Sequence, residues 1–348
     1  MSHSKSSRQC WYPSAGGVLV DVDPDLVAHV SQVHRCGSPH VCPSCAPVIR
    51  HRRAVEVDQA VAAAMEAGGT VLFLTLTVRH SRRDELKPRL DLCASALGRL
   101  FRGAPWQRQA ARLGYFGAIR AVEVIRTDSG GWHPHTHSLL FFDRVLSPAE
   151  VASLRAWLLA RWEGVVVRAG FGTLHQVHGV DLRPVTSEGV GQYLSKVEGG
   201  WSAGSELARS GAKRGAAGKV TPFELLAQAA AGDRRALALW LEYEDATFGT
   251  KALRWSPGLR ARLVGAPELS DAQLAAEPAS ESVYSELVAA AEWVAALRSG
   301  EVAWLLEEVE ARAALHLLRM RSREEVQRCP DAIPPGPAVV APVPRSGP

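Results

Sequence analysis

The chain has 348 residues, of which 47% are hydrophobic and 22% charged, with a formal net charge of +4 at pH 7. That length suits two globular regions or one large domain with additions, and the apolar share can form a sizeable core, which excludes wholesale disorder. So mild a positive excess does not by itself indicate a nucleic-acid partner. The longest apolar stretches, such as Val71–Val78, fall well short of the roughly 20 residues of a membrane span. Met1 to Trp11 carry no apolar run of signal type. The six cysteines are too few and too unevenly placed for a disulfide scaffold. A cytoplasmic protein without a membrane partner is expected.

Residues 1–55 read as irregular and rich in Cys, His, Pro and Ser, ending in the basic run Arg50-His51-Arg52-Arg53. A helix is expected from Arg53 to Met65, stopped by Gly68-Gly69. Val71–Val78 reads as a strand covered on both faces. Leu86 to Phe101 has helical spacing, and Tyr115 to Ile125 forms a second strand. Asp128-Ser129-Gly130-Gly131 supplies turn chemistry, and His135 to Phe142 returns as the partner strand. Ser147-Pro148 opens a helix to about Trp162. A hairpin over Val165–Val180, a helix around Val190–Val197 and a flexible basic connection from Gly199 to Lys219 follow. Pro222 to Leu241 and Glu281 to Val326 read as helical, the latter broken at Gly300, before a proline-rich tail from Pro330. Strands joined by hairpins and mixed with helices predict an α+β fold with a mainly antiparallel sheet and flanking helices.

The segment Trp132-His133-Pro134-His135-Thr136-His137 holds three of the twelve histidines at a spacing of two. Alternate residues of a strand share a face, so His135 and His137 can aim at one point. Imidazole is the commonest metal ligand. Glu123 lies in the preceding strand within the apolar run Ala121-Val122-Glu123-Val124-Ile125. A turn centred on Ser129 sets it opposite His135, and one centred on Gly130 sets it opposite His137. Two imidazoles and a carboxylate leave metal positions open for a phosphate oxygen and water. In Glu188-Gly189-Val190-Gly191-Gln192-Tyr193-Leu194-Ser195-Lys196, a helix would put Tyr193 and Lys196 on one face, where an ammonium could favour the phenolate. Cys36, Cys42 and Cys45 form a partial zinc pattern, with Cys10, His34, His40 and His51 all candidates for a fourth ligand. Arg79-His80-Ser81-Arg82-Arg83 and Lys213-Arg214 are loop segments suited to phosphate contacts.

Taken together, the strand Phe73-Leu74-Thr75-Leu76-Thr77, the His-Pro-His-Thr-His segment and Tyr193-Leu194-Ser195-Lys196 resemble the single-tyrosine plasmid rolling-circle replication initiators of the HUH endonuclease superfamily. The likeness runs roughly from Cys36 to Leu259. It implies a sheet presenting His135 and His137 to Mg²⁺ or Mn²⁺, with Glu123 as third ligand and His133 ranked below them. It further implies that Tyr193 nicks plasmid origin DNA, single-stranded or cruciform, through a 5′-phosphotyrosine link. The free 3′-hydroxyl would prime a host polymerase, with a host helicase as second partner. Lys196 would orient the metal's water or the tyrosine, or stabilise developing charge.

Related initiators often carry a glutamate one helical turn before the tyrosine, to act at termination. Here Gly189 stands there, and Glu188 would lie about 140° round a continuous helix from Tyr193. Glu188 serves that step only if it approaches from a loop. The expected organisation is a Cys/His-rich segment with a structural Zn²⁺ at 1–55, a nicking core at 56–200, a basic connection and helical region at 201–329, and a tail at 330–348. A relaxase or transposase of the same superfamily, or a non-catalytic zinc-containing nucleic-acid-binding protein, are the competing readings. Protonation of free imidazoles predicts loss of activity below about pH 6.

Overall fold

A computed structural model describes residues 2–176, 178–185, 218–251, 253–276 and 281–328. In chain order the elements begin with α1 (Lys5–Arg8), β1 (Gly17–Val22), β2 (Ala28–Ser31), α2 (Cys45–Glu66) and β3 (Thr70–Thr77). Next come α3 (Leu86–Leu100), α4 (Gly103–Leu113), β4 (Tyr115–Thr127), β5 (Gly131–Phe142), α5 (Pro148–Arg168) and β6 (Val180–Pro184). The rest are β7 (Lys219–Val220), α6 (Pro222–Ala230), α7 (Arg234–Thr247), β8 (Leu253–Trp255), α8 (Leu259–Leu263), α9 (Asp271–Ala276), β9 (Tyr284–Ala289), α10 (Ala290–Ser299) and α11 (Val302–Arg328). One compact unit comprises Met1–Cys10 and Arg35–Glu277, and a second comprises Trp11–His34 and Pro278–Pro348. The expected α+β class with an antiparallel sheet, a Cys-rich N-terminal region and a helical C-terminal region is what the chain forms.

In the first unit the strands lie in the order β6-β3-β5-β4-β7, with β8 also pairing β4, and each pairing is antiparallel. Alternation along β3 and β5 sends Leu72, Leu74, Leu76, Leu140 and Phe142 to one face, where they pack with Cys93 and Ala96 of α3 and Leu154, Leu158 and Trp162 of α5. Val71, Phe73, Leu139 and Phe141 point to the other face and meet Ala54, Val57, Ala60, Val61 and Ala64 of α2. These α2 residues recur at helical spacing, and their small side chains let the helix lie close on the sheet. β3 is therefore covered on both faces, as its continuous apolar run requires.

Several elements differ from the sequence reading. α2 starts at Cys45 rather than Arg53, because its basic residues find partners inside the fold. Arg50 Nε donates to the Pro39 carbonyl at 3.0 Å, and Arg53 reaches Glu56 at 3.0 Å and Asp271 at 3.1 Å. No hairpin forms at Val165. α5 runs on to Arg168, because buried Val165 and Val166 extend the stripe begun by Leu154, Leu158 and Trp162, and burial outweighs β propensity. The helix expected from Pro222 splits at Gly232 (φ +100°), and Asp233 caps the second piece by accepting from the Arg235 and Ala236 amides.

In the second unit β1 lies between β2 and β9. Tyr284–Ala289 is thus a strand, not the start of a helix, because pairing with β1 lets it help bury Val18, Val20 and Val22 against Trp293, Leu305 and Val309. Gly300 breaks the following helices as expected, at φ +81°. The helix expected around Val190–Val197, most of the connection from Gly199 and the tail from Pro330 lie outside the described residues. So do Tyr193, Lys196 and Glu188.

Candidate functional site

Local chemistry at the β4–β5 turn sets the geometry of the site. The Gly130 amide donates to Thr127 Oγ1 at 2.9 Å, and Gly131 adopts φ +75° with the Ser81 carbonyl and Arg82 against its open side. A side chain at Gly131 would be strained and would strike backbone. The turn is centred on Ser129, so of the two registers the sequence allowed, Glu123 pairs with His135.

Glu123, His135 and His137 converge on one face of the sheet. Glu123 Oε2 lies 2.9 Å from His137 Nε2 and 4.0 Å from His135 Nδ1. The ligand atoms of the three residues all lie within 4.8 Å of one another. His135 Nδ1 is buried and has no hydrogen-bond partner among the described residues. A buried imidazole nitrogen left bare beside a carboxylate is costly unless a further group binds it. Ligand bonds of about 2.1 Å allow donor atoms up to about 4.2 Å apart, which covers both distances from Glu123 Oε2, so the donor set fits a divalent cation.

The sequence reading missed Thr75 and His80 as parts of this site. Thr75 faces His137 across the β3–β5 pairing, with Oγ1 3.2 Å from Nδ1. That contact fixes the ring and leaves Nε2 for the converging point. The polar Thr75 within the apolar strand Phe73–Thr77 was the available signal. His80 stacks on His133 with ring centroids 4.0 Å apart, and His133 packs against His135 at 4.1 Å with the ring planes tilted by 34°. His133 therefore supports the His135 ring from the side and is not among the three residues whose ligand atoms converge.

Burial sets the electrostatics here. It pushes His133 down to about 3 and His135 down to about 4, although the Glu123 carboxylate pulls His135 the other way. The charge of Lys219 on β7 adds to both depressions. His135 thus stays neutral and able to bind a metal well below pH 6, and the acid loss expected for this ligand moves toward pH 4. The same shift carries a stability prediction. Between about 6.5 and about 4 the unfolded chain takes up a proton that folded His135 refuses, so the metal-free protein loses stability as pH falls through that window. For His135 alone the loss amounts to about 3 kcal/mol. Urea unfolding midpoints at pH 7, 5 and 4 measure it, and an unchanged midpoint would show that the ring is not desolvated.

A second cluster gathers Cys10 with Cys36, Cys42 and Cys45, their sulfurs all within 4.8 Å of one another. Of the four candidates for the last position, the fold selects Cys10. His40 is buried separately, its pKa pushed down to about 3 by burial and then by Arg50.

A family profile described as replication protein matches residues 27–147, a span that includes Glu123, His133, His135 and His137. A protein named "Protein rep" from Streptomyces lividans is 30% identical over 309 residues, covering 72% of this chain and 68% of the relative. The chain belongs to the Rep family of plasmid rolling-circle replication initiators. Another "Protein rep", from Bacillus amyloliquefaciens, is 29% identical over 115 residues, covering 31% of each chain. A "Neomycin resistance protein" from Streptomyces cyanogenus is 31% identical over 130 residues, covering 30% of each. No solved structure matches this initiator. Membership makes it a plasmid replication initiator that works on plasmid origin DNA. Among the described residues no helix is long and apolar enough to cross a membrane.

Proposed function

We propose that this initiator is a metal-dependent nuclease and strand transferase, which cuts one strand of cytoplasmic plasmid origin DNA and holds the 5′ end as a phosphotyrosine on Tyr193. The observation that carries the reading is the convergence of Glu123, His135 and His137, with one imidazole nitrogen buried and bare. These three residues would hold Mg²⁺ or Mn²⁺, which when bound polarises the scissile phosphodiester and offsets its negative charge. Thr75 keeps the His137 ring in orientation, and His133 braces His135. In the transfer, the Tyr193 phenolic oxygen bonds to phosphorus as the bond to the 3′ oxygen breaks. The phenol loses its proton, and the departing 3′ oxygen takes one up to become the primer hydroxyl.

Lys196 would favour the phenolate, and Glu188 would activate the second attack at termination. A host helicase and polymerase would then extend the primer. The described chain leaves the sheet at Val185 and rejoins it at Lys219, which pairs with Thr127 and whose charge reaches His133 and His135. The connection that carries Tyr193 therefore rejoins the sheet near the centre, and the eight residues from Val185 to Tyr193 can span up to about 28 Å when extended, which supports a phenol within reach.

The test uses a labelled single-stranded origin oligonucleotide with Mg²⁺ or Mn²⁺, followed by a denaturing gel. A slow protein-linked band is expected only with the metal. Binding without a cut would leave a non-catalytic binder, and a cut without the linked band would remove the tyrosine from the chemistry.

Origin DNA also needs a phosphate-binding surface. On the opposite face of the sheet, a groove of about 810 Å³ is lined by Arg99, Arg102, Arg120 and Arg254. Arg120 and Arg254 lie directly opposite each other in the β4–β8 register. Like charges so placed repel, and burial, with Arg254 beside it, pushes Arg120 down to about 10. A phosphate backbone would relieve both. Arg254→Ala is expected to weaken binding of origin duplex roughly tenfold and to lower the salt slope by about one. Adduct formation on a short nick-site oligonucleotide should stay within about twofold, because Arg254 lines the opposite face of the sheet from the centre. Unchanged duplex affinity and salt slope would exclude the groove from the DNA path.

A further inference from the structure

We propose that Cys10, Cys36, Cys42 and Cys45 form a tetrathiolate site for a structural Zn²⁺ that closes the N-terminal strap onto the start of α2. The sulfurs of Cys10 and Cys45 lie 3.4 Å apart, those of Cys10 and Cys42 3.4 Å, and those of Cys36 and Cys45 3.9 Å. A tetrahedral zinc with Zn–S bonds of about 2.3 Å needs sulfur separations of about 3.8 Å. A disulfide would need about 2.0 Å, and all four residues are free thiols.

Local structure supports thiolates at this point. The Cys45 amide donates to Cys42 Sγ at 3.4 Å across the Cys42-Pro43-Ser44-Cys45 turn. Cys45 is also the first residue of a 22-residue helix, whose positive end favours negative sulfur. Four sulfurs with no oxygen ligand suit a soft, tetrahedral ion, unlike the oxygen- and nitrogen-bearing centre at Glu123. A set of four protein ligands leaves no open position, so the role is structural.

The placement shows what the metal would fasten. The strap is held at its other end by Glu244, which accepts from the His3 amide at 2.8 Å and from the Ser2 hydroxyl. The chain leaves the first unit after Cys10 and re-enters it at Arg35, one residue before Cys36. Ligation of Cys10 and Cys36 by one ion would therefore pin both ends of the 11–34 excursion, reinforcing a base that the Trp11 amide closes on the His34 carbonyl and the His34 amide on the Tyr12 carbonyl, each at 2.8 Å. Ile49, Leu274 and Ala275 pack around Cys42 and Cys45, so the same ion would secure the N-terminal end of α2, the helix that covers the sheet face bearing Glu123.

The test reads metal and ligand type separately from nicking. Full-length protein, purified under reducing conditions without added metal, should carry about one tightly held zinc per chain by elemental analysis. Cobalt added to chelator-stripped protein should give intense visible d–d bands and the ultraviolet charge-transfer bands of a tetrathiolate. His137→Ala and Cys93→Ala should keep that spectrum, which assigns it away from the other centre. Cys10→Ser should lose the four-sulfur intensity and bind cobalt roughly tenfold or more weakly. Four thiols that react freely in the untreated protein, a disulfide, an iron–thiolate spectrum, or a Cys10→Ser spectrum identical to wild type would each overturn the assignment. Because the cobalt spectrum needs no DNA cleavage, its outcome is independent of whether Tyr193 is the nucleophile.

Discussion

Replacing Tyr193 with phenylalanine is expected to abolish the covalent protein–DNA adduct and to slow metal-dependent nicking roughly 10⁴-fold or more, while origin DNA binding stays within about twofold. The substitution removes one oxygen, the atom that would bond to phosphorus, and leaves the ring. The other four of the five tyrosines lie outside the Tyr193-Leu194-Ser195-Lys196 segment. Tyr115 packs against Phe101, Trp106 and Phe142, and Tyr243 against Trp132 and Trp240, with burial pushing both phenols above their usual range. Tyr12 and Tyr284 belong to the second unit, and the Tyr284 hydroxyl is engaged by Glu286 at 3.0 Å. Single-turnover cutting of a labelled oligonucleotide, resolved under denaturing conditions, measures the effect. An adduct that persists in Tyr193→Phe would move the nucleophile to another residue and end the proposed role of Lys196 with it.

The second large effect is expected at the carboxylate. Glu123→Gln preserves shape but removes the charge that faces both imidazoles, and should weaken Mn²⁺ binding roughly a hundredfold or more. Cutting should fall in parallel at low Mn²⁺ and recover in part at high Mn²⁺, because the loss lies in holding the ion. His137→Ala should be less rescuable, since it removes a ligand and also strips Glu123 and Thr75 of a partner. Thr75→Val should cost about tenfold, the scale expected when only the orientation of a ligand is disturbed. Calorimetric Mn²⁺ titration beside single-turnover cutting separates binding from chemistry. Wild-type metal dependence in Glu123→Gln would reduce the carboxylate to a hydrogen-bond acceptor and leave the centre without its third ligand.

Much of the Glu123–His135–His137 cluster could be read from the chain because its geometry is local. Alternation along a strand placed His135 and His137 on one face, and a short turn brought Glu123 alongside with one ambiguity of register. Thr75 was harder to see because it comes from β3, and only the β3–β5 pairing brings it to His137. α2 was foreshortened because buried arginines look like loop residues until their partners are known, and those of Arg53 include Asp271, more than two hundred positions away. The misread of Val165 and Val166 has the same origin, since β-branched residues join a helix when a core waits on the proper side.

Residue types at short spacing thus determined the α+β class, the central hairpin and the likeness to replication initiators, because turn chemistry and side-chain alternation act over a few residues. Tertiary structure alone decided that Glu123 faces His135, that Cys10 completes the sulfur cluster, and that Gly17–Val22 pairs with Tyr284–Ala289. Contacts between distant segments depend on which surfaces the whole chain buries together, and no local pattern encodes that choice.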